Sequence, residues 1–161
     1  MLQNNFKEWY SQDANLDNLE AISAFEKEHN LRLPQEYIDL VRFRDGGLLE
    51  KDLFFYMDRG KRQIRNCVAD FLCWQKETLG EGECLIHEVN NPPEFFPKGL
   101  IPFAPDGGGN YICFDYRKRK ENPPIVFWHH EVEENEGIYP LANSFEEFVN
   151  SLKSRDESEH L

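Results

Sequence analysis

Between residues 15 and 30 the apolar side chains Leu16, Leu19, Ile22 and Phe25 recur every third position, with Asp17, Glu20, Glu26, Lys27 and Glu28 between them. That spacing puts the apolar set on one face of a helix and the charge on the other. Asn15 suits its N-cap, because the side-chain oxygen can take an amide that the first turn leaves unbonded. After Leu31, Arg32 and Leu33, Pro34 fits the first position of a second helix, where its missing N–H costs nothing. Residues 35–44 continue it with Tyr37, Ile38, Leu40, Val41 and Phe43, and Gly46 and Gly47 are expected to stop it in a left-handed cap.

The periodicity then shortens. Leu48-Leu49 and residues 53–57 have strand composition, interrupted by Glu50, Lys51 and Asp52. Arg59, Lys61, Arg62 and Arg65 read as a solvated loop, since no aromatic platform is interleaved with them. Residues 68–74 (VADFLCW) fit helix or strand; Asn66, as a cap, favours a short helix. Residues 77–83 carry Gly80 and Gly82 and read as a loop, while 85–89 are a strand or a helical turn, broken by Pro92-Pro93.

The strongest β signal is residues 100–115, LIPFAPDGGGNYICFD. Ile101, Phe103 and Ala104 precede the turn residues Pro105, Asp106, Gly107, Gly108, Gly109 and Asn110, and Tyr111 to Phe114 follow, closed by Asp115. Proline presets φ, Asp106 can accept from the backbone ahead of it, and glycine takes positive φ without a Cβ clash, so the stretch predicts a hairpin. The glycines lack the G-x-G-x-x-G or G-K-[ST] spacing and feed a strand instead of a helix N-terminus, which favours a hairpin turn over a phosphate cradle. Residues 125–129 (IVFWH) predict a third strand whose inward face is either Val126 with Trp128 or Ile125 with Phe127 and His129. Residues 138–142 lead to a last helix that opens on Ser144-Phe145-Glu146-Glu147, a capping box, and sends Phe145, Phe148, Val149 and Leu152 inward. From residue 155 the tail is polar and expected to fray.

The 161 residues fit a single domain with a core over about 16–153, and 13 Phe and 3 Trp supply ample material for it. A net charge of −12 repels nucleic acid and anionic membrane and attracts basic partners. Cys67, Cys73, Cys84 and Cys113 form no C-x-x-C pair and lie among apolar residues, as buried thiols do in a reducing compartment. The chain opens without a basic-then-apolar leader, and no apolar run approaches membrane-spanning length, so the expected location is the cytoplasm.

Candidate chemistry is sparse, and no cofactor is implied. His129, His130, Glu131, Glu133 and Glu134 are the densest potential metal ligands, but adjacent histidines on a strand point to opposite faces. Asp106, Asp115 and Glu131 flank turns of one sheet and could converge as paired carboxylates, although turn hydrogen bonding accounts for both aspartates. No serine sits in G-x-S-x-G, and Cys113 lies in an apolar strand that dulls a thiol.

Four blocks together resemble the SUKH superfamily of the Smi/Knr type: LPQEYIDLVRFRDGG at 33–47, IPFAPDGGGNYICFD at 101–115, IVFWHHE at 125–131 and LANSFEEFV at 141–149. The resemblance covers about residues 16–153 and is loose over 50–95. It implies an α+β fold, a mostly antiparallel sheet with N-terminal helices and a C-terminal helix packed on it. It also implies a non-enzymatic binding module: bacterial members are immunity proteins that neutralise polymorphic or contact-dependent toxins, often nucleases, and fungal relatives regulate cell-wall synthesis. The family motifs are turns and core, so Pro34, Gly46, Gly47, Asp106 to Asn110, Asp115, Ser144 and Phe145 carry structure and no catalytic role. The partner implied is a cognate toxin with a basic surface, and the acidic loop Glu131, Glu133, Glu134 and Glu136 is the expected contact by charge complementarity.

Overall fold

The computed structural model describes residues 2–10, 18–74 and 84–159. A 3-10 turn (Leu2–Asn5) leads into strand β1 (Phe6–Trp9), followed by helices α1 (Asn18–His29) and α2 (Gln35–Phe43). Strands β2 (Gly47–Leu49), β3 (Leu53–Met57) and β4 (Gln63–Cys67) come next, then α3 (Leu85–Asn90). The central strands are β5 (Leu100–Pro105), β6 (Tyr111–Asp115), β7 (Ile125–Trp128) and β8 (Ile138–Ala142), and the short helices α4 (Phe145–Ser151) and α5 (Arg155–Ser158) follow. This is an α+β fold in which every strand pairing is antiparallel: β1 with β2, β3 with β4, and a four-stranded meander β5-β6-β7-β8.

The meander explains why residues 100–115 and 125–128 are so apolar. Every residue of β6 and β7 is buried, so both faces of the sheet are covered and neither reading of a single inward face for β7 is right. On one face the cross-strand pairs Ile112↔Phe127 and Phe114↔Ile125 meet an aromatic core from other elements. Phe103 stacks on Phe114 at 4.4 Å, Tyr37 of α2 meets Phe114 edge-on at 5.1 Å, and Phe145 of α4 meets Tyr37 at 5.6 Å. Phe54 and Tyr56 bring the β3–β4 hairpin onto Phe127 at 5.6 and 4.9 Å. On the other face Phe96 stands edge-on to Trp128 at 4.9 Å, and the buried Glu88 of α3 accepts from the Tyr111 hydroxyl at 2.7 Å.

Several expectations are corrected. Helix α2 does not end in a left-handed glycine cap: Arg44 leaves it extended (φ −153°), its N–H bonding the Leu40 carbonyl. Gly46 (φ +76°) and Gly47 (φ +156°) serve tertiary packing, because a Cβ on Gly46 would lie 3.0 Å from the Cys73 sulfur and one on Gly47 would meet the Glu8 carbonyl. Buried Asp45 completes this junction by accepting from the Trp74 amide at 2.6 Å. Residues 68–74 are accordingly extended, not helical: their amides reach sideways, Ala69 N to Pro105 O at 2.8 Å and Leu72 N to Phe103 O at 3.0 Å.

Arg65 lies in β4, so the basic cluster is the turn and second strand of a hairpin and not a free loop. Residues 85–90 are helix, and 138–142 are an edge strand with Pro140 in it, where a missing N–H is tolerated. The Ser144 hydroxyl accepts from Glu147 N at 3.1 Å, half of the expected box. A full reciprocal box occurs at Ser154 and Glu157, so the tail folds into α5 where fraying was expected. Asn15 and the loop at 77–83 lie outside the described residues.

Candidate functional site

The turn between β5 and β6 is built around one carboxylate. Asp106 Oδ1 accepts from the amides of Gly108 at 2.7 Å and Asn110 at 3.1 Å, and Oδ2 accepts from the side chains of Asn110 at 2.8 Å and Asn66 at 2.9 Å. Burial pushes this carboxyl up, but the four donors outweigh it and hold Asp106 below the usual carboxylate range. Gly107 (φ +84°) and Gly109 (φ +88°) give the left-handed geometry that lets the chain wrap it. Asn110 continues the network outward: its carbonyl oxygen accepts from His130 N at 2.9 Å and lies 2.6 Å from His130 Nδ1. Because the Asn110 amide nitrogen is committed to Asp106, its side-chain oxygen faces the ring, and His130 Nδ1 is the ring nitrogen placed to donate to it.

Asp115, at the other end of β6, belongs to a separate arrangement. Arg117 grips it in a fork, Nε to Oδ1 at 2.9 Å and a terminal nitrogen to Oδ2 at 2.8 Å. Burial again raises the carboxyl and the Arg117 contacts override it, leaving Asp115 below its ordinary range. About 14 Å of strand separates the two aspartates, so they do not converge on one substrate atom. Glu131 lies at the Asp106 end, beyond His130, but Asp106 already has its acceptors filled by structure.

His129 and His130 follow β7, so the opposite-face rule for strand residues does not govern them; their rings stack at 5.8 Å and 9°. Among the described residues no group of three or more His, Cys, Asp or Glu side chains is placed to hold a metal. Cys113 is fully buried, and desolvation pushes its thiol well up. Cys73 and Cys84 are buried and Cys67 half-buried.

The acidic loop is exposed at Glu131, Glu133 and Glu136, and Glu134 opens the 3-10 turn Glu134–Gly137. It does not stand alone. Arg59, from the β3–β4 turn, donates to the Glu136 carbonyl at 2.6 Å and lies 3.4 Å from its carboxylate. The basic cluster and the acidic loop are therefore neighbours, and part of the loop's field is cancelled within the chain.

One surface feature has no counterpart in the sequence reading. Helices α2 and α4, with the 3-10 turn at Leu2, enclose a groove of about 400 Å³ with Leu2, Leu40, Phe145 and Val149 among its lining and Glu36, Asp39 and Glu146 around it. Leu40, Phe145 and Val149 are buried and the three carboxylates are exposed. The signal in the sequence is only that each acid lies beside an apolar position one helical turn on or next in line, which any amphipathic helix shows.

These features define an α+β domain whose buried polar groups brace the fold and whose open surfaces are charged. The chain belongs to the SMI1 / KNR4 family (SUKH-1), whose family model matches residues 18–151. It is 47% identical over 58 residues to the SPbeta prophage-derived uncharacterized protein YokK of Bacillus subtilis (strain 168); that stretch is 35% of this chain and 28% of the relative. No solved structure matches the chain. Among the described residues, no helix is long and apolar enough to cross a membrane.

Proposed function

We propose that this protein is a non-enzymatic immunity protein that binds a cognate protein toxin in the cytoplasm and blocks its active site or substrate groove. The observation that carries the reading is family membership across residues 18–151, in a family with a bacterial immunity branch. The net charge of −12 supports it, since a nuclease presents a basic groove that an acidic protein can occupy, with faster encounter and selection of the right partner. The prophage origin of the Bacillus subtilis relative is in keeping with it. On this reading Glu131, Glu133, Glu134 and Glu136 contribute to the attractive field. The test is co-expression with the toxin-like product of the neighbouring reading frame: the pair copurifies and growth is restored. If the pair neither copurifies nor rescues growth, the reading fails.

A further inference from the structure

The acidic surface that sequence reasoning favours, the 131–136 loop, is partly neutralised by Arg59. The groove between α2 and α4 is different. Glu36, Asp39 and Glu146 line it without an ion pair to any of them among the described residues, and Asp39 only accepts from its helix neighbour Gln35 at 2.9 Å. Between these carboxylates the lining combines the half-buried Leu2 and the edges of the buried Leu40, Phe145 and Val149 with the polar Gln3 and Asn150. The adjoining hollow, which shares Leu2, Val149 and Asn150, carries Lys51 and Lys153 and none of the three acids, so the sign of the charge changes from one hollow to the next.

An apolar floor with acids contributed by both helices selects its occupant. A plain hydrophobic side chain would bury the floor and leave the carboxylates desolvated without a partner, which is costly. A lysine or arginine satisfies both, laying its methylene stem on the floor and its charged head among the carboxylates. We propose that the α2–α4 groove is the docking surface for a lysine- or arginine-bearing segment of a protein partner. The proposal deepens the immunity reading by assigning the toxin's contact face, and it rests on that reading only for the partner's identity.

Glu36 and Glu146 lie in the first turns of their helices, where a carboxylate is also favoured by the helix dipole. Two variants therefore separate docking from folding. Glu36→Gln, Asp39→Asn and Glu146→Gln together remove the rim charge at constant shape. Asn150→Lys keeps all three acids and sets a cation in the groove, four residues after Glu146 on α4, a spacing that supports the helix.

The experiment titrates the full chain, isotope-labelled for NMR, with the blocked peptide acetyl-Leu-Lys-Lys-Leu-Leu-Lys-amide. The expected result is saturable binding that shifts the amides of Leu40 and Val149, weakens with salt, and falls about ten-fold in either groove variant, while Glu28→Gln with Glu121→Gln, two exposed acids outside the groove, binds as the parent does. No saturable binding, shifts confined to residues 131–136, or unchanged affinity in both groove variants would overturn the proposal. A concentration-dependent dimer abolished by the same variants would assign the groove to a second copy and overturn it as well. Run beside the growth rescue, the outcomes stay distinct. Peptide binding without any rescue by the parent protein sinks the immunity reading and leaves the groove. Full rescue by both groove variants leaves immunity and sinks the groove as the toxin's contact face.

Discussion

Asn66 donates from its side-chain amide to Asp106 Oδ2 at 2.9 Å, across 40 positions of sequence. The bond ties the end of β4 to the turn of the β5–β6 hairpin, so the aspartate that organises its own turn also anchors a second hairpin.

Asp106→Asn puts an amide NH2 where Oδ2 now accepts, facing the donors of Asn66 and Asn110. The expected loss is about 2 kcal/mol, the scale for hydrogen bonds to a charged acceptor, against about 1 kcal/mol for Asn66→Ala. Because the two share one bond, the double variant loses less than the sum. Urea unfolding with an unchanged slope measures all three.

Acid sensitivity follows from the same carboxylate. Asp106 and Asp115 are held below their ordinary range in the folded protein, so the unfolded chain takes up protons first as pH falls. Their stabilisation is complete above the ordinary carboxylate value of about 3.9 and is lost as pH drops through the folded values. The urea midpoint should therefore fall below about pH 4, and Asp106→Asn should flatten that decline. An equally steep decline in the variant would remove Asp106 from the account.

The glycines differ sharply in what they do. Gly47→Ala drives a Cβ into the Glu8 carbonyl, with Trp9 Cα at 3.1 Å, at a φ that side chains rarely adopt. The cost should be about 3 kcal/mol, of the size seen when backbone must shift. Gly107→Ala, in the conspicuous glycine run, meets only Ala69 Cβ at 3.8 Å and should cost about 1 kcal/mol, the left-handed penalty alone. Thermal unfolding of the two variants gives the order.

Thiol accessibility offers a check on packing. Cys67 is half-buried while Cys73, Cys84 and Cys113 are buried, and desolvation with the field of Asp45 pushes the Cys73 thiol up to about 12. In the native protein one cysteine, Cys67, should react with a disulfide reagent, slowly because burial raises its thiol too, and the other three only on unfolding. Mass mapping of the labelled site decides this.

Charge on the 131–136 loop should act on encounter rate. Glu131→Lys with Glu133→Lys should slow association with the toxin about three-fold at low salt and little at high salt, whereas Arg59→Ala, which releases Glu136, should speed it. Stopped-flow rates at two ionic strengths measure both.

Local pattern alone determined the two N-terminal helices, the 100–115 hairpin, the third strand and the Ser144 cap, because each is set by side-chain period or turn chemistry within a few residues. The four-block order also made the family legible before any coordinates. Tertiary structure decided the rest. Residues 68–74 carry a sequence that suits a helix, yet their amides find partners on β5 and at Gly47, so long-range hydrogen bonds override propensity. β1 and β8 are short edge strands with little alternation, visible only through the strands they pair with. Gly46 and Gly47 are conspicuous in sequence, but what requires them is the close approach of Cys73 and Glu8. The α2–α4 groove follows the same logic: its acids sit on two helices more than a hundred residues apart, and only the packing of those helices makes one surface of them.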